Sequence, residues 1–263
     1  MNDTYPYRLR LVHEGGQGLR LERRGPLVLF DPVTPPSSGD IVVLTGARPE
    51  QVGATQRAIA GGARPRVVAP VQAHDWLRAA GLPTDRALVQ LTDTDGLEIQ
   101  QWACPESPGP RTEDAPAALF GALLRPRGAL RRALQRRKAP AFSPPAFSPQ
   151  VTRVTLPDGG RIVHLGLALR TSTPAGWLEP LLPQLRGAEW LLLGSDVGQQ
   201  DSVFHHAASF QAHHLLLVDL VGDARRAAGL PVELLTPLAD RLCASGQDAY
   251  VLPSGVSYRF EAA

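Results

Sequence analysis

The chain is poor in the residues that mark several functional classes. Its 263 residues hold two cysteines, Cys104 and Cys243, too few for a disulfide framework or a cysteine-rich zinc site. No apolar run approaches the ~18–20 uninterrupted residues that a membrane span needs. The opening Met1-Asn2-Asp3-Thr4-Tyr5-Pro6 has no basic region followed by an apolar core, so it does not read as a signal peptide. A cytoplasmic location is the expectation. Net charge is only +2, too small to mark a nucleic-acid binder by itself. Lysine is nearly missing, Lys138 being the single one. The basic set is otherwise arginine, and much of it falls between Arg125 and Arg137.

What is present describes an ordinary folded protein. Hydrophobic content of 43% with 20% charged residues is too apolar for a disordered chain. The length buries a sizeable core. The 25 prolines and 25 glycines are spread between apolar segments, which predicts many short elements joined by loops.

Residues 7–33 read as a meander of strands. Arg8 to Val12 and Leu19 to Glu22 alternate, and Leu27-Val28-Leu29-Phe30 is a buried run closed by Asp31-Pro32. A second buried strand, Ile41 to Leu44, stops at Thr45-Gly46 and leads through a polar loop to a helix over Pro49–Ile59, halted by Gly61-Gly62. Further strands are expected at Arg66–Pro70, Ala87–Leu91 and Leu97–Trp102, with a helix over Val71–Ala80. From about 107 to 150 the rhythm breaks. Ala117 to Lys138 has helical composition, followed by a repeat, Pro140-Ala141-Phe142-Ser143-Pro144 and Pro145-Ala146-Phe147-Ser148-Pro149. Prolines so spaced exclude a regular helix or a central strand, so an extended surface insert is expected. Strands resume in a hairpin, Val151–Leu156 and Arg161–Gly166. Helices are expected at Trp177–Leu185, Ser202–Ala212 and Thr236–Ala244. Strands are expected at Glu189–Leu193, His213–Asp219, Tyr250–Leu252 and Val256–Phe260. Two β-rich halves, each ending in β-α-β units, pack as two sheets with helices outside.

The stretch Asp40 to Gly53 carries a resemblance. It is similar to the metallo-β-lactamase-fold superfamily, in which a strand ends in Thr-His-x-His-x-Asp-His-x-Gly. Thr45 and Gly53 match at the right spacing. The four metal-binding places between them are Gly46, Arg48, Glu50 and Gln51. The chain looks closest to the ascorbate-phosphate lactonase-like branch. There an opening hairpin leads to Phe-Asp-Pro, matched by Phe30-Asp31-Pro32, and Asp-x-Val-x-Leu-Thr matches Asp40, Val42, Leu44 and Thr45. At the places of the later ligands stand Glu106, Leu167 and Asp219. The last of these closes Leu215-Leu216-Leu217-Val218, and Leu167 follows Arg161, Ile162, His164 and Gly166, which do match. The resemblance covers almost the whole chain. It implies an α+β fold, a four-layer αββα sandwich, in one domain over 1–263 with the insert near 107–150.

The resembled family uses imidazoles and carboxylates to hold zinc or manganese, which acidifies a bound water. Glycine and leucine have no donor atom, and arginine at Arg48 brings a fixed positive charge to a place built for a cation. The expectation is therefore a catalytically degenerate, metal-free binding module with no cofactor, whose partner is a protein or a small anionic ligand. An alternative keeps a hydrolase of phosphoester, lactone or other ester bonds, with Glu50, Glu106 and Asp219 holding an ion and Arg48 binding an anionic substrate. A third, weaker reading is nucleic-acid binding or processing, and Arg127, Arg131, Arg132, Arg136 and Arg137 are candidates for docking an acidic partner, RNA or anionic lipid headgroups. With the leucines between them they form a basic amphipathic face, and Phe142 and Phe147 beside them present aromatic rings to a partner.

Other features read as structural. His164 is expected to be a hydrogen-bonded core histidine, and Cys104 a buried inert thiol. Ser195 lacks the Gly-x-Ser-x-Gly frame of a nucleophile elbow. His205-His206 and His213-His214 are too far apart on one continuous helix to share an ion; only a break before His213 brings them together.

Overall fold

The computed structural model describes residues 9–23, 25–47, 49–93, 95–104, 150–166, 168–169, 176–195 and 198–260. The basic, proline-rich stretch, with Arg127, Arg131, Arg132, Arg136, Arg137, Phe142 and Phe147, lies outside them, as do Arg48, Glu106 and Leu167. Among the described residues fourteen strands form two seven-stranded sheets. In the first, β1 (Leu9–Gly15), β2 (Gly18–Glu22) and β3 (Val28–Phe30) meander, then β4 (Ile41–Val43), β5 (Arg66–Val68) and β6 (Ala87–Leu88) continue in parallel, with β14 (Ser257–Phe260) beside β1. The second repeats the plan: β7 (Gln90–Thr92), β8 (Glu98–Ala103), β9 (Gln150–Thr155) and β10 (Arg161–Gly166) are antiparallel neighbours. After them β11 (Trp190–Gly194), β12 (His214–Val218) and β13 (Ala249–Leu252) run parallel to β10.

Side-chain alternation turns these sheets into layers. On β4, Ile41 and Val43 point between the sheets, while Val42, with Leu44 just beyond the strand, faces α1 (Pro49–Ala60) and α2 (Val71–Ala79) with Val52 and Leu77. On β11, Trp190 and Leu192 face inward, and Leu191 and Leu193 meet outer helices through Phe210 and Leu238. Strands buried on both faces explain why β4, β11 and β12 read as unbroken apolar runs. β1 and β2 alternate because their outer face carries charges, Arg10 and Arg20 pairing with Glu22 at 3.3 and 3.0 Å. The outer helices of the second half are α3 (Leu182–Leu185), α4 (Gln200–Ala207), α5 (Gly222–Ala228) and α6 (Thr236–Ala244). The result is the expected αββα sandwich. Among the described residues no helix is long and apolar enough to cross a membrane.

Four local expectations need correction. Ala87–Leu91 is not one strand: β6 ends the first sheet and β7 begins the second, the chain crossing at Val89, which is 53% exposed. A helix over Trp177–Leu185 shrinks to α3, because Pro180 and Pro183 lack the N–H groups a continuous helix needs. The helix expected to reach Ala212 ends α-helically at Ala207 and passes through a 3-10 turn, Ala208–Phe210, to Gln211 at φ 49°. Helix α5 was not anticipated; at seven residues its apolar period is too short to read. By contrast α2 stops where Gly81 predicts, at φ 99°, its N–H bonded to the Arg78 carbonyl at 2.8 Å.

Candidate functional site

In sheets of this kind, ligands sit beyond the carboxyl ends of parallel strands. Those ends meet here. Phe30, last residue of β3, packs its ring on His164 near the end of β10, with centroids 5.2 Å apart. The Gln150 N–H reaches the Thr45 carbonyl at 2.9 Å, and the Gln101 amide reaches the Leu44 carbonyl at 2.9 Å, so the second sheet is bonded to the end of the first.

The first corner is built on Asp31. Its backbone takes a left-handed φ of 40°, which aspartate tolerates better than most residues. Its carboxylate is 2% exposed. It accepts a 2.8 Å bond from the Thr45 N–H, a short bond from the Thr45 hydroxyl and a 3.2 Å bond from Gln51 Nε2. Gln51 Nε2 also donates to Thr45 Oγ at 3.1 Å. Of the family's four places in this loop, Gly46 and Gln51 are thus brought together, and Glu50 lies in the first turn of α1. A Cβ on Gly46 would lie 2.9 Å from both Cδ and Nε2 of Gln51. The neutral amide fills the space that a side chain at 46 needs.

The second corner surrounds Asp219. Its carboxylate accepts the Gly222 N–H at 2.6 Å, fastening the first turn of α5, and pairs with Arg226 at 3.2 Å. Arg226 also pairs with Asp223 at 2.7 Å. That guanidinium, with the Gly16 N–H, holds the Asp223 carboxyl below its usual range. Leu220 turns inward and packs over Gly194 and the Gly166 carbonyl. An open recess of about 210 Å³ beside Asp219 is lined by Ser195, Arg225 and Glu233, among others. Glu233 accepts the Gly198 N–H at 3.1 Å, and Arg225 donates to the Pro231 carbonyl at 2.6 Å.

His164 departs from its expected state. It is a core residue at 2% exposure, but neither ring nitrogen has a hydrogen-bond partner among the described residues. Burial pushes its pKa down to about 4, so the ring is neutral. Cys104 is buried at 2%, as expected. The break before His213 does exist, yet His205 and His206 stay exposed while His214 Nδ1 pairs with Asp248.

These donors do not fit the metal that the fold implies. Gly46 offers no donor, the Gln51 amide is bonded to Asp31 and Thr45, and the Asp219 carboxylate to Gly222 and Arg226. Among the described residues no three His, Cys, Asp or Glu side chains converge on one point. The roles of Asp31 and Leu220 escaped the sequence reading. Asp31 was legible as the end of a strand and as part of the matched Phe30-Asp31-Pro32, but not as the acceptor that gathers Thr45 and Gln51.

No family model and no curated protein sequence matches the chain. Solved structures do. A metallo hydrolase of the hyperthermophilic archaeon Ignicoccus hospitalis matches with a TM-score of 0.63 at 12% identity, over 97% of this chain and 99% of that one. An isothiocyanate hydrolase from Delia radicum gut bacteria matches with a TM-score of 0.56 at 14% identity, over 97% and 100%. CmlA, a diiron β-hydroxylase of Streptomyces venezuelae, matches with a TM-score of 0.61 at 11% identity, over 97% of this chain and 55% of its own. Identities this low speak for architecture alone. That architecture, two mixed sheets face to face with helices on both outer faces, is the one the sequence resembled: the chain has the metallo-β-lactamase fold.

Proposed function

We propose that this chain is a metal-free, non-catalytic protein of the metallo-β-lactamase fold that acts by binding, its partner a protein or a small anionic ligand. The observation that carries this reading is the use of the ligand places. The Gln51 amide nitrogen is bonded to Asp31 and Thr45 in one corner, and the Asp219 carboxylate to Gly222 and Arg226 in the other. Turning to an ion would cost buried Gln51 and half-buried Asp219 these bonds. Metal analysis of protein purified without chelator is expected to find less than a tenth of an equivalent of zinc, manganese or iron. One tightly held equivalent would sink the reading.

The full-length likeness to a metallo hydrolase and an isothiocyanate hydrolase supports a second reading. Here the protein hydrolyses a phosphoester, lactone or other ester through a rebuilt carboxylate site of Glu50, Glu106 and Asp219, with Arg48 on an anionic substrate. On that reading the Glu50→Ala, Asp219→Ala double variant loses a metal-dependent esterase or phosphoesterase activity by about 100-fold or more, as expected for removal of metal ligands. Equal activity in both proteins, or none in either, excludes it.

A further inference from the structure

Three glycines at the carboxyl ends of the strands, Gly46, Gly194 and Gly222, have ordinary backbone angles; none is among the positive-φ glycines. Backbone freedom therefore does not explain them. Space does. A Cβ on Gly46 would meet the Gln51 amide, one on Gly194 would lie 2.5 Å from Leu220 Cδ1 and 2.8 Å from the Gly166 carbonyl, and one on Gly222 would collide with the Asp219 carboxylate. The intruding side chains are Gln51 at 1% exposure, Leu220 at 4% and Asp219. Gln51 and Asp219 are themselves degenerate ligand places, and Leu220 adjoins one.

We infer that the chain fills its own metal corner: Gly46 and Gln51 form an exclusive pair, the amide occupying the room that a ligand side chain at 46 would need, while Leu220 closes the gap between the ends of β10 and β11. This rests on the metal-free reading and deepens it. Gln51 and Leu220 thus take up the room that a ligand side chain would need at these two places.

The pair is not held by hard contact alone. The amide is the far end of a flexible side chain and can swing aside, but doing so breaks its bonds to Asp31 and Thr45 and strands polar atoms in a buried site. Gly194 is tighter, because one of its opposing atoms is a backbone carbonyl that cannot turn away. The amide thus replaces the cross-link that a metal gives the fold elsewhere: it ties α1 to the ends of β3 and β4 through hydrogen bonds.

A double-mutant cycle read by thermal melting tests the pair. Gly46→Ala is expected to lower Tm by about 5 °C, and Gln51→Ala by a similar amount, at roughly 2–4 °C per kcal/mol for a chain of this size. The double variant should melt at the Gln51→Ala temperature or above it, since the new methyl then enters room the amide has left. A double variant that loses the sum of the two, or a Gly46→Ala protein that melts like the parent, overturns the pair. If Gln51→Ala does not fold, Gln51→Asn, shorter by one methylene, completes the same cycle. Zinc content of the parent separates the two claims. A bound equivalent with a coupled cycle removes the metal-free reading and leaves the packing. No zinc with additive melting removes the exclusive pair and leaves that reading.

Discussion

Asp31→Ala is expected to be the most damaging single change at the candidate site, costing on the order of 3–5 kcal/mol and about 10 °C in Tm. Its carboxylate gathers the Thr45 N–H, the Thr45 hydroxyl and the Gln51 amide in a place that is 2% exposed. Removing it leaves at least two donors without an acceptor, each at a cost of about 1–3 kcal/mol. Alanine also tolerates the left-handed φ of 40° less well than aspartate. Asp31→Asn separates these contributions, because asparagine accepts that backbone and retains one acceptor oxygen; it should recover more than half of the loss. Chemical denaturation of the three proteins at pH 7.5 checks this. Equal midpoints for parent and Asp31→Ala would show that the cluster contributes nothing to stability.

His164→Leu should act in the opposite direction, and more strongly in acid. The folded ring has its pKa lowered from 6.5 to about 4 by burial, while the unfolded ring keeps the ordinary value. Between those pH values the unfolded chain binds the extra proton and the folded one does not. Stability from this group is therefore full above about pH 6.5 and is lost as pH falls toward 4. At ~1.4 kcal/mol for each factor of ten in proton affinity, the whole loss is about 3 kcal/mol. Leucine neither titrates nor leaves two ring nitrogens unpaired. The variant should be more stable than the parent by about 1–2 kcal/mol at pH 7.5, and the gap should widen by about 2 kcal/mol at pH 5. Denaturation at both pH values decides it, and a gap that does not change with pH would refute the neutral buried imidazole.

The layers were readable from the chain because periodicity and burial are linked. Unbroken apolar runs such as Leu191-Leu192-Leu193 announce strands covered on both faces, and the alternation in Leu9 to Val12 announces one covered face. The crossing at Val89 was not readable, since Ala87 to Leu91 keeps its strand character across the change of sheet. The α3 segment misled for a local reason: leucines at helical spacing outweighed two prolines whose missing donors decide the outcome. At the candidate site the sequence showed which donors are lost but not what replaced them. That Gln51 and Asp219 turn inward depends on partners 20 residues away at Asp31 and seven at Arg226, a matter of contact and not of pattern.

One strand pairing bears on how the protein is made. β1 is hydrogen-bonded to β14, with Leu9 opposite Phe260. Strand β1 therefore waits for β14 before its outer edge is covered. During synthesis a nascent chain holding everything up to α6 still exposes that edge, with its unpaired N–H and C=O groups open to another chain. Closing a loop of this length is slow compared with the local hairpins, so protection of the edge is set by the arrival of β14 and not by folding of the rest of the first sheet.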